Sequence, residues 1–370
     1  MNKKIKLLHV TTSLKIGGAE AVLCNLIKKL GNTEFEHHVI YFHNGPNVAQ
    51  VKSLGAKSYH VKGLVSLYDP IFFARLFFLM KKLKPDLIHS LLWSANVSAR
   101  LIAKLLKIPN ISAYHLDIYN DGIFRNSIDR VTRKMSDLLV AVSGDVAKSL
   151  GSRKSFRRLE IIKNGIDFTD IHEKSMESEV GRESLGLSEE NFVIGSVGRL
   201  HPQKNYPLLL KSFALVNRDF PQTRLVIVGV GSQEGMLKSL AKDLGLRQKV
   251  IFVIGKQAYG YFPIFDIFVQ SSNKEGLSIA LLEAMSFCLP CVVTSPDCSH
   301  PVICDKKNGI ITAIGNVGLL ADSIKFLMQD RIFAKKIGEA GKKNVEHDFS
   351  DVSMVSAYKN IFSSFSNRQL

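Results

Sequence analysis

Two carboxylates and two cations in the second half of the chain are spaced for work on a phosphorylated, hydroxyl-rich ligand. Arg199 and Lys204 lie in Gly198-Arg199-Leu200-His201-Pro202-Gln203-Lys204-Asn205. A planar guanidinium and a compact ammonium on one such loop suit the two phosphates of a diphosphate. Glu275 and Glu283 flank an apolar run that starts after Gly276, at Leu277 and Ser278. On a helix turning about 100° per residue they would stand roughly 80° apart, both able to accept from hydroxyls of one ligand. The free backbone N–H groups at the start of that helix, around residues 277–279, would hold a phosphate. In the first half, Gly17-Gly18 lets backbone approach a ligand without Cβ interference, and His115 ends an apolar run. The glycine pair is not G-x-G-x-x-G, and no acid follows at ribose-binding distance, which argues against a dinucleotide site.

The elements that must position these groups alternate between short apolar runs and helical periodicity. Strands are expected at 5–11, 37–42, 86–90, 110–114, 137–142 and 160–162, and helices at 67–83, 94–106 and 123–135, with one from the Gly-Gly turn through Leu30. Ser143 reads as the N-cap of the helix that follows 137–142. Further strands are expected at 192–197, 224–228, 250–254, 265–270 and 291–293, with helices between them. This βα alternation predicts doubly wound sheets with helices on both faces. In such sheets ligands bind beyond the carboxyl ends of strands, where Arg199, His115 and Glu275 all fall. Asn164-Gly165 is a turn signal, and the polar stretch 168–190 reads as a linker.

The segment from Ser271 to Met285 reads S-x-x-x-E-G-x-x-x-x-x-L-E-A-M, with Glu-x7-Glu inside it. Together with Gly198-Arg199 and Lys204, it resembles the retaining family 4 glycosyltransferases of GT-B fold, glycosyltransferase group 1. Gly17-Gly18-Ala19-Glu20, His115, Asn164-Gly165-Ile166-Asp167, Val228-Gly229-Val230-Gly231 and Asn308-Gly309 resemble further landmarks of that family, so the likeness spans nearly the whole chain. The resemblance implies two Rossmann-like domains facing across a cleft. It places an acceptor-binding domain at 1–167, a linker at 168–190, a nucleotide-sugar domain at 191–346 and a terminal helix at 347–370 that returns to the first domain. It implies catalytic roles for His115, Glu275, Arg199 and Lys204. Donor binding would add Gly17, Gly18, Gly276, Leu277, Ser278 and Glu283, with Glu283 on the ribose and Glu275 on the sugar. Transfer would retain anomeric configuration by a front-face route, from a UDP- or GDP-linked sugar, without a metal or other cofactor. Three departures bear on donor choice and rate: 256–265 is short, Ser278 replaces a glycine, and 295–301 lacks a Gly-rich loop and its Glu.

The net charge of +16 is concentrated in the first half. An apolar stretch, 71–80, followed by Lys81, Lys82 and Lys84, suggests a surface resting on anionic lipid, with Arg100, Lys104, Lys107, Arg125, Arg130, Arg133 and Lys134 adding to it. That points to a polyprenyl-diphosphate-linked or glycan acceptor of a bacterial surface polysaccharide, such as an O-antigen, capsule or exopolysaccharide. Nucleic acid is a poor partner, because aromatic residues do not interleave with the basic ones. A nucleotide-sugar epimerase shares the fold but would need more acids and histidines around the sugar. Met1 leads directly into a strand-like run rather than a signal peptide, and 71–80 is too short to span a bilayer. With Cys24, Cys288, Cys291, Cys298 and Cys304 read as buried or isolated thiols, a reduced cytoplasmic setting is expected, at most peripheral to the membrane.

Overall fold

The computed structural model describes residues 4–63, 69–115, 123–151, 155–178, 180–255, 258–275, 277–295 and 302–366. The chain divides into two compact units, Met1–Gly165 with Asp351–Leu370, and Ile166–Ser350.

The first unit is built on β1 (Ile5–Ser13), α1 (Gly18–Leu30), β2 (Phe35–His43), α2 (Asn47–Ser53), β3 (Lys57–His60), α3 (Pro70–Leu83) and β4 (Leu87–Leu91). It continues through α4 (Trp93–Leu106), β5 (Asn110–Tyr114), α5 (Ile123–Thr132), β6 (Leu138–Ala141), α6 (Gly144–Ser149) and β7 (Leu159–Ile161). Its seven strands are parallel in the order β3-β2-β1-β4-β5-β6-β7. Strand order reverses beside β1, so the crevice beyond β1 and β4 is this sheet's topological switch point. Period-2 alternation sends Leu8, Val10, Ile40 and Ile88 to one face, against Phe72, Leu76 and Met80 of α3 and Ala95, Ala99 and Ile102 of α4. His9, His37 and His89 point the other way. His9 Nδ1 lies 3.1 Å from His89 Nδ1, and His9 Nε2 lies 3.1 Å from His37 Nδ1.

Local chemistry explains the boundaries. Asp69 caps α3 by accepting from the N–H groups of Ile71 and Phe72, Pro70 opens the helix, and Lys84 closes it in a left-handed conformation. Ser143 caps α6 as expected, accepting from Val146 N–H.

The second unit comprises α7 (Phe168–Met176), β8 (Phe192–Val197), α8 (Tyr206–Asp219), β9 (Thr223–Val228), α9 (Glu234–Asp243), β10 (Val250–Val253), β11 (Ile267–Gln270) and α10 (Ile279–Ser286). β12 (Cys291–Ser295), β13 (Ile310–Ala313), α11 (Val317–Gln329) and α12 (Arg331–Asp348) complete it. α13 (Asp351–Ser366) belongs to the first unit, where Tyr358 and Phe362 pack edge-on or tilted against His89. The second sheet is also parallel, in the order β10-β9-β8-β11-β12-β13, so its switch point lies between β8 and β11.

Several expectations change. α2 and β3 were not expected, because each is short and weakly periodic. The stretch 168–190 is not a bare linker: α7 counts with the second unit, where His172 stacks on Phe287 at 4.3 Å. The division falls at 165/166, since Ile166 N–H donates to the Phe349 carbonyl at 3.0 Å and Ile166 pairs with Ser350.

Arg100 and Arg133 do not belong to a basic surface. Both are buried, and Asp129 takes Arg100 Nη1 at 2.8 Å and Arg133 Nη2 at 2.9 Å. Tyr114 Oη donates to the same Asp129 at 2.8 Å, tying α5 to the end of β5. Cys291 lies buried in β12 and Cys288 half-buried before it; all four described cysteines are free thiols.

Candidate functional site

In the second unit the two sequence motifs meet at the switch point. The loop after β8 carries Arg199 and Lys204, and the loop after β11 carries Glu275. Close backbone contact positions the first loop. Gly198 N–H donates to the Val228 carbonyl at 3.0 Å and Leu200 N–H to that of Val230 at 2.9 Å. A Cβ on Gly229 would lie 1.9 Å from the Gly198 carbonyl oxygen, and one on Gly231 2.2 Å from that of Leu200. Both glycines are therefore needed to let the turn after β9 support the Arg199 loop.

The two loops are then stitched together. Ser271 Oγ donates to the Lys204 carbonyl at 2.9 Å, Gln203 Nε2 to the Lys274 carbonyl at 2.9 Å, and Asn273 N–H to the Gln203 carbonyl at 2.8 Å. Asn205, left-handed at φ 46, caps α8 and donates through Nδ2 to Asn273 Oδ1 at 2.8 Å. Thr294 Oγ1 donates to the Ser272 carbonyl at 2.7 Å, which anchors the second loop to β12. Lys204 Nζ pairs with Glu275 Oε1, and Ser272 Oγ donates to that oxygen at 2.7 Å. Side chains of Lys204 and Glu275 are 15% and 11% exposed, so the pair is sheltered yet reachable. Arg199, on the same loop as Lys204, is exposed.

Ser278 is the N-cap of α10, its Oγ accepting from Leu281 N–H at 3.4 Å. Because the helix begins at Ile279, Glu275 lies outside it, and the helical-wheel argument linking it to Glu283 does not hold. Lys204 and Ser272 set its direction instead. Leu277 is buried next to the cap, while Gly276 lies outside the described residues. Glu283 sits on α10, 8% exposed, and its carboxyl has no partner among the described residues; burial pushes it up to about 8. A buried carboxyl with no donor among the described residues is suited to a ligand that brings hydroxyls.

In the first unit, His115 follows β5, 7% exposed. Asn164 Nδ2 faces its Nδ1 at 3.5 Å, leaving the proton on Nε2, which has no partner among the described residues. Burial pushes the imidazole down to about 4, so it is neutral at physiological pH. The contact between Asn164 and His115 joins residues far apart in sequence, which no local pattern shows. Gly17 and Gly18 open α1, and Glu20 folds back over them. Ser13 Oγ donates to Glu20 Oε1 at 2.5 Å, and a Cβ on Gly17 would lie 2.5 Å from Glu20 Oε2. The carboxylate end of the Glu20 side chain thus occupies the space beside Gly17. Asp117 and the departures at 296–301 lie outside the described residues.

The family model described as Glycosyl transferases group 1 matches residues 177–344, and that described as Glycosyltransferase Family 4 matches 16–170. The chain belongs to the family 4, group 1 glycosyltransferases. Among its relatives, an Escherichia coli UDP-Gal:alpha-D-GlcNAc-diphosphoundecaprenol alpha-1,3-galactosyltransferase is 22% identical, over 98% of this chain and 97% of that one. The lipopolysaccharide core biosynthesis glycosyltransferase LpsD of Rhizobium meliloti is 24% identical, over 97% and 98%. A crystal structure of Anabaena HepE in complex with UDP and glucose superposes with a TM-score of 0.84 at 20% identity, covering 97% of this chain and 100% of that one. The fold of this glycosyltransferase is GT-B. Among its described residues, no helix is long and apolar enough to cross a membrane.

Proposed function

We propose that this glycosyltransferase moves a sugar, with retention, from a UDP- or GDP-linked donor to a glycan or polyprenyl-diphosphate-linked acceptor in bacterial surface polysaccharide synthesis. One observation carries the donor half of the reading: the Arg199–Lys204 loop and the Glu275 loop meet at the switch point of the second sheet and are bonded to each other. In this reading Arg199, Lys204 and the N–H groups opening α10 hold the diphosphate, and Glu283 accepts from the ribose. Glu275 accepts from the sugar. The diphosphate competes with Glu275 for Lys204, releasing the carboxylate towards the sugar as the donor binds. Charge grows on the departing phosphate as the glycosidic bond breaks, and fixed cations and N–H dipoles stabilise it without reorganising. His115 is carried as a group acting on the transferred sugar on the strength of the motif; its neutral Nε2–H suits a hydroxyl. No step calls for a metal, so chelation with EDTA should leave transfer intact, and loss of transfer would remove that part.

The acceptor half draws support from the relatives' names and from one face of the first unit. α3, α4 and α5 pack in series, and expose Ile71, Phe78, Leu105, Phe124 and Val131 among Lys81, Lys82, Lys104, Lys107 and Arg130. Apolar side chains among cations suit peripheral contact with an anionic bilayer. Salt-sensitive binding to phosphatidylglycerol vesicles tests this; equal binding to neutral vesicles would contradict it. For the reaction, purified protein should transfer sugar to a diphosphate-linked acceptor with the anomeric configuration kept. An inverted product would overturn the retaining reading.

A further inference from the structure

Two helices open at the switch point of the first sheet, and they differ. α1 begins against the carboxylate of Glu20, so its positive end already faces an anion. α4 begins at Trp93 with no side-chain cap. Thr12 Oγ1 accepts from Ala95 N–H at 3.3 Å, but the N–H groups of Trp93 and Ser94 have no partner among the described residues. The indole Nε1–H of Trp93 is enclosed and likewise unpartnered. Arg125 lies over the same indole, its guanidinium carbon 5.0 Å from the ring centre. The first residue of this 14-residue helix therefore brings an indole donor, with a cation stacked on its ring, to the helix's positive end.

A second observation comes from Asn96, one turn into α4. It is 1% exposed, and its Nδ2 donates to the Ala113 carbonyl of β5 at 3.0 Å, which fixes the amide. Its Oδ1 is buried without a partner. Leaving such a buried acceptor unsatisfied is costly, a cost a ligand hydroxyl would remove. Trp93 and Asn96 are three residues apart on a helix, hence on the same side of its first turn. Leu92, which leads in, has φ 70 and ψ 155, a region otherwise almost confined to glycine.

We propose that the amino end of α4 binds the phosphoryl group of a sugar-phosphate acceptor, with Trp93 Nε1–H and the first N–H groups donating to the phosphate and Asn96 Oδ1 accepting from a sugar hydroxyl. This deepens the acceptor reading above and rests on it: the group recognised is the phosphate-linked sugar at the head of a lipid-diphosphate acceptor, rather than a phosphate-free glycan.

The test uses the full-length chain with Arg199→Ala to weaken anion binding in the second unit, and N-acetylglucosamine 1-phosphate as the probe. Calorimetry should show saturable binding, weakened about tenfold by Trp93→Phe, which keeps an aromatic ring, though a smaller one, and loses the N–H donor. Asn96→Asp, which sets a negative charge beside the phosphate, should weaken it further. Free N-acetylglucosamine should bind far less well than its phosphate. No saturable binding, or binding indifferent to both substitutions, overturns the proposal. The acceptor reading fails separately, if the wild type transfers sugar to phosphate-free glycans and not to a diphosphate-linked sugar. Unchanged melting temperatures of the variants would separate lost recognition from lost folding.

Discussion

Donor binding should be linked to a proton on Glu283. In the unliganded protein its buried carboxyl titrates near 8, so at pH 7 only about one molecule in ten carries the carboxylate, and at pH 6 about one in a hundred. If ribose hydroxyls donate to this group, the bound state favours the carboxylate and binding must expel the proton. Each pH unit below about 8 then costs about 1.4 kcal/mol, or a tenfold loss of affinity, and the dependence flattens above 8. A nucleoside-diphosphate sugar is the right ligand, because it has no terminal phosphate titrating near neutrality. Calorimetry at pH 7 in buffers of different ionisation enthalpy should report about 0.9 proton released per donor bound. Glu283→Gln should abolish both the release and the pH dependence. It should also stabilise the unliganded protein at pH 7.5, by up to about 4 kcal/mol, because folding no longer raises a carboxyl from its ordinary range to near 8. Donor affinity independent of pH between 6 and 8, with no proton released, would refute the assignment of Glu283 to the ribose.

Other outcomes follow from the same geometry. Asp129→Ala should destabilise the first unit by about 3–5 kcal/mol, read by urea denaturation, since it leaves Arg100 and Arg133 buried without their shared carboxylate. Acid should unfold the first unit early. His9, His89 and His115 are held neutral by burial, His89 near 3 and His115 near 4, so the unfolded chain takes up protons first as pH falls through 6.5. Stability is full above that value and drops below it, by about 2 kcal/mol each for His89 and His115 at pH 5; a denaturation midpoint unchanged from pH 7 to 5 would contradict this. Gly229→Ala should raise the donor KM about tenfold or more through the clash with the Gly198 carbonyl, with little change in the acceptor KM.

Much of the site was legible because its residues are local in sequence. Gly198-Arg199 and Lys204 share one loop, and the strand ends before them follow from apolar runs bounded by turn residues. β5 and β8 have the bounds expected of them for the same reason. What stayed hidden depends on pairing between distant segments. Nothing near Arg100 in sequence announces Asp129, and a count of basic residues cannot separate a buried pair from a solvated face. Ser278 looked like a lost glycine, yet its hydroxyl caps α10, which starts at Ile279. The Gly-Gly pair does not announce that the Glu20 side chain folds back beside Gly17. The stretch 168–190 is polar enough to read as a linker, but the stacking of His172 on Phe287 is a tertiary contact with no local trace.

The most direct test of the account is an equilibrium titration of the wild type and of Arg199→Ala with a panel of UDP- and GDP-linked sugars. The wild type should show saturable binding of one nucleotide series. Loss of the Arg199 charge-assisted contacts should weaken it by about 1.5–3 kcal/mol, roughly tenfold to more than a hundredfold, with the fold unchanged. Equal affinity in the two proteins, or no binding of any donor by the wild type, would contradict the claim that the paired loops after β8 and β11 hold the donor diphosphate.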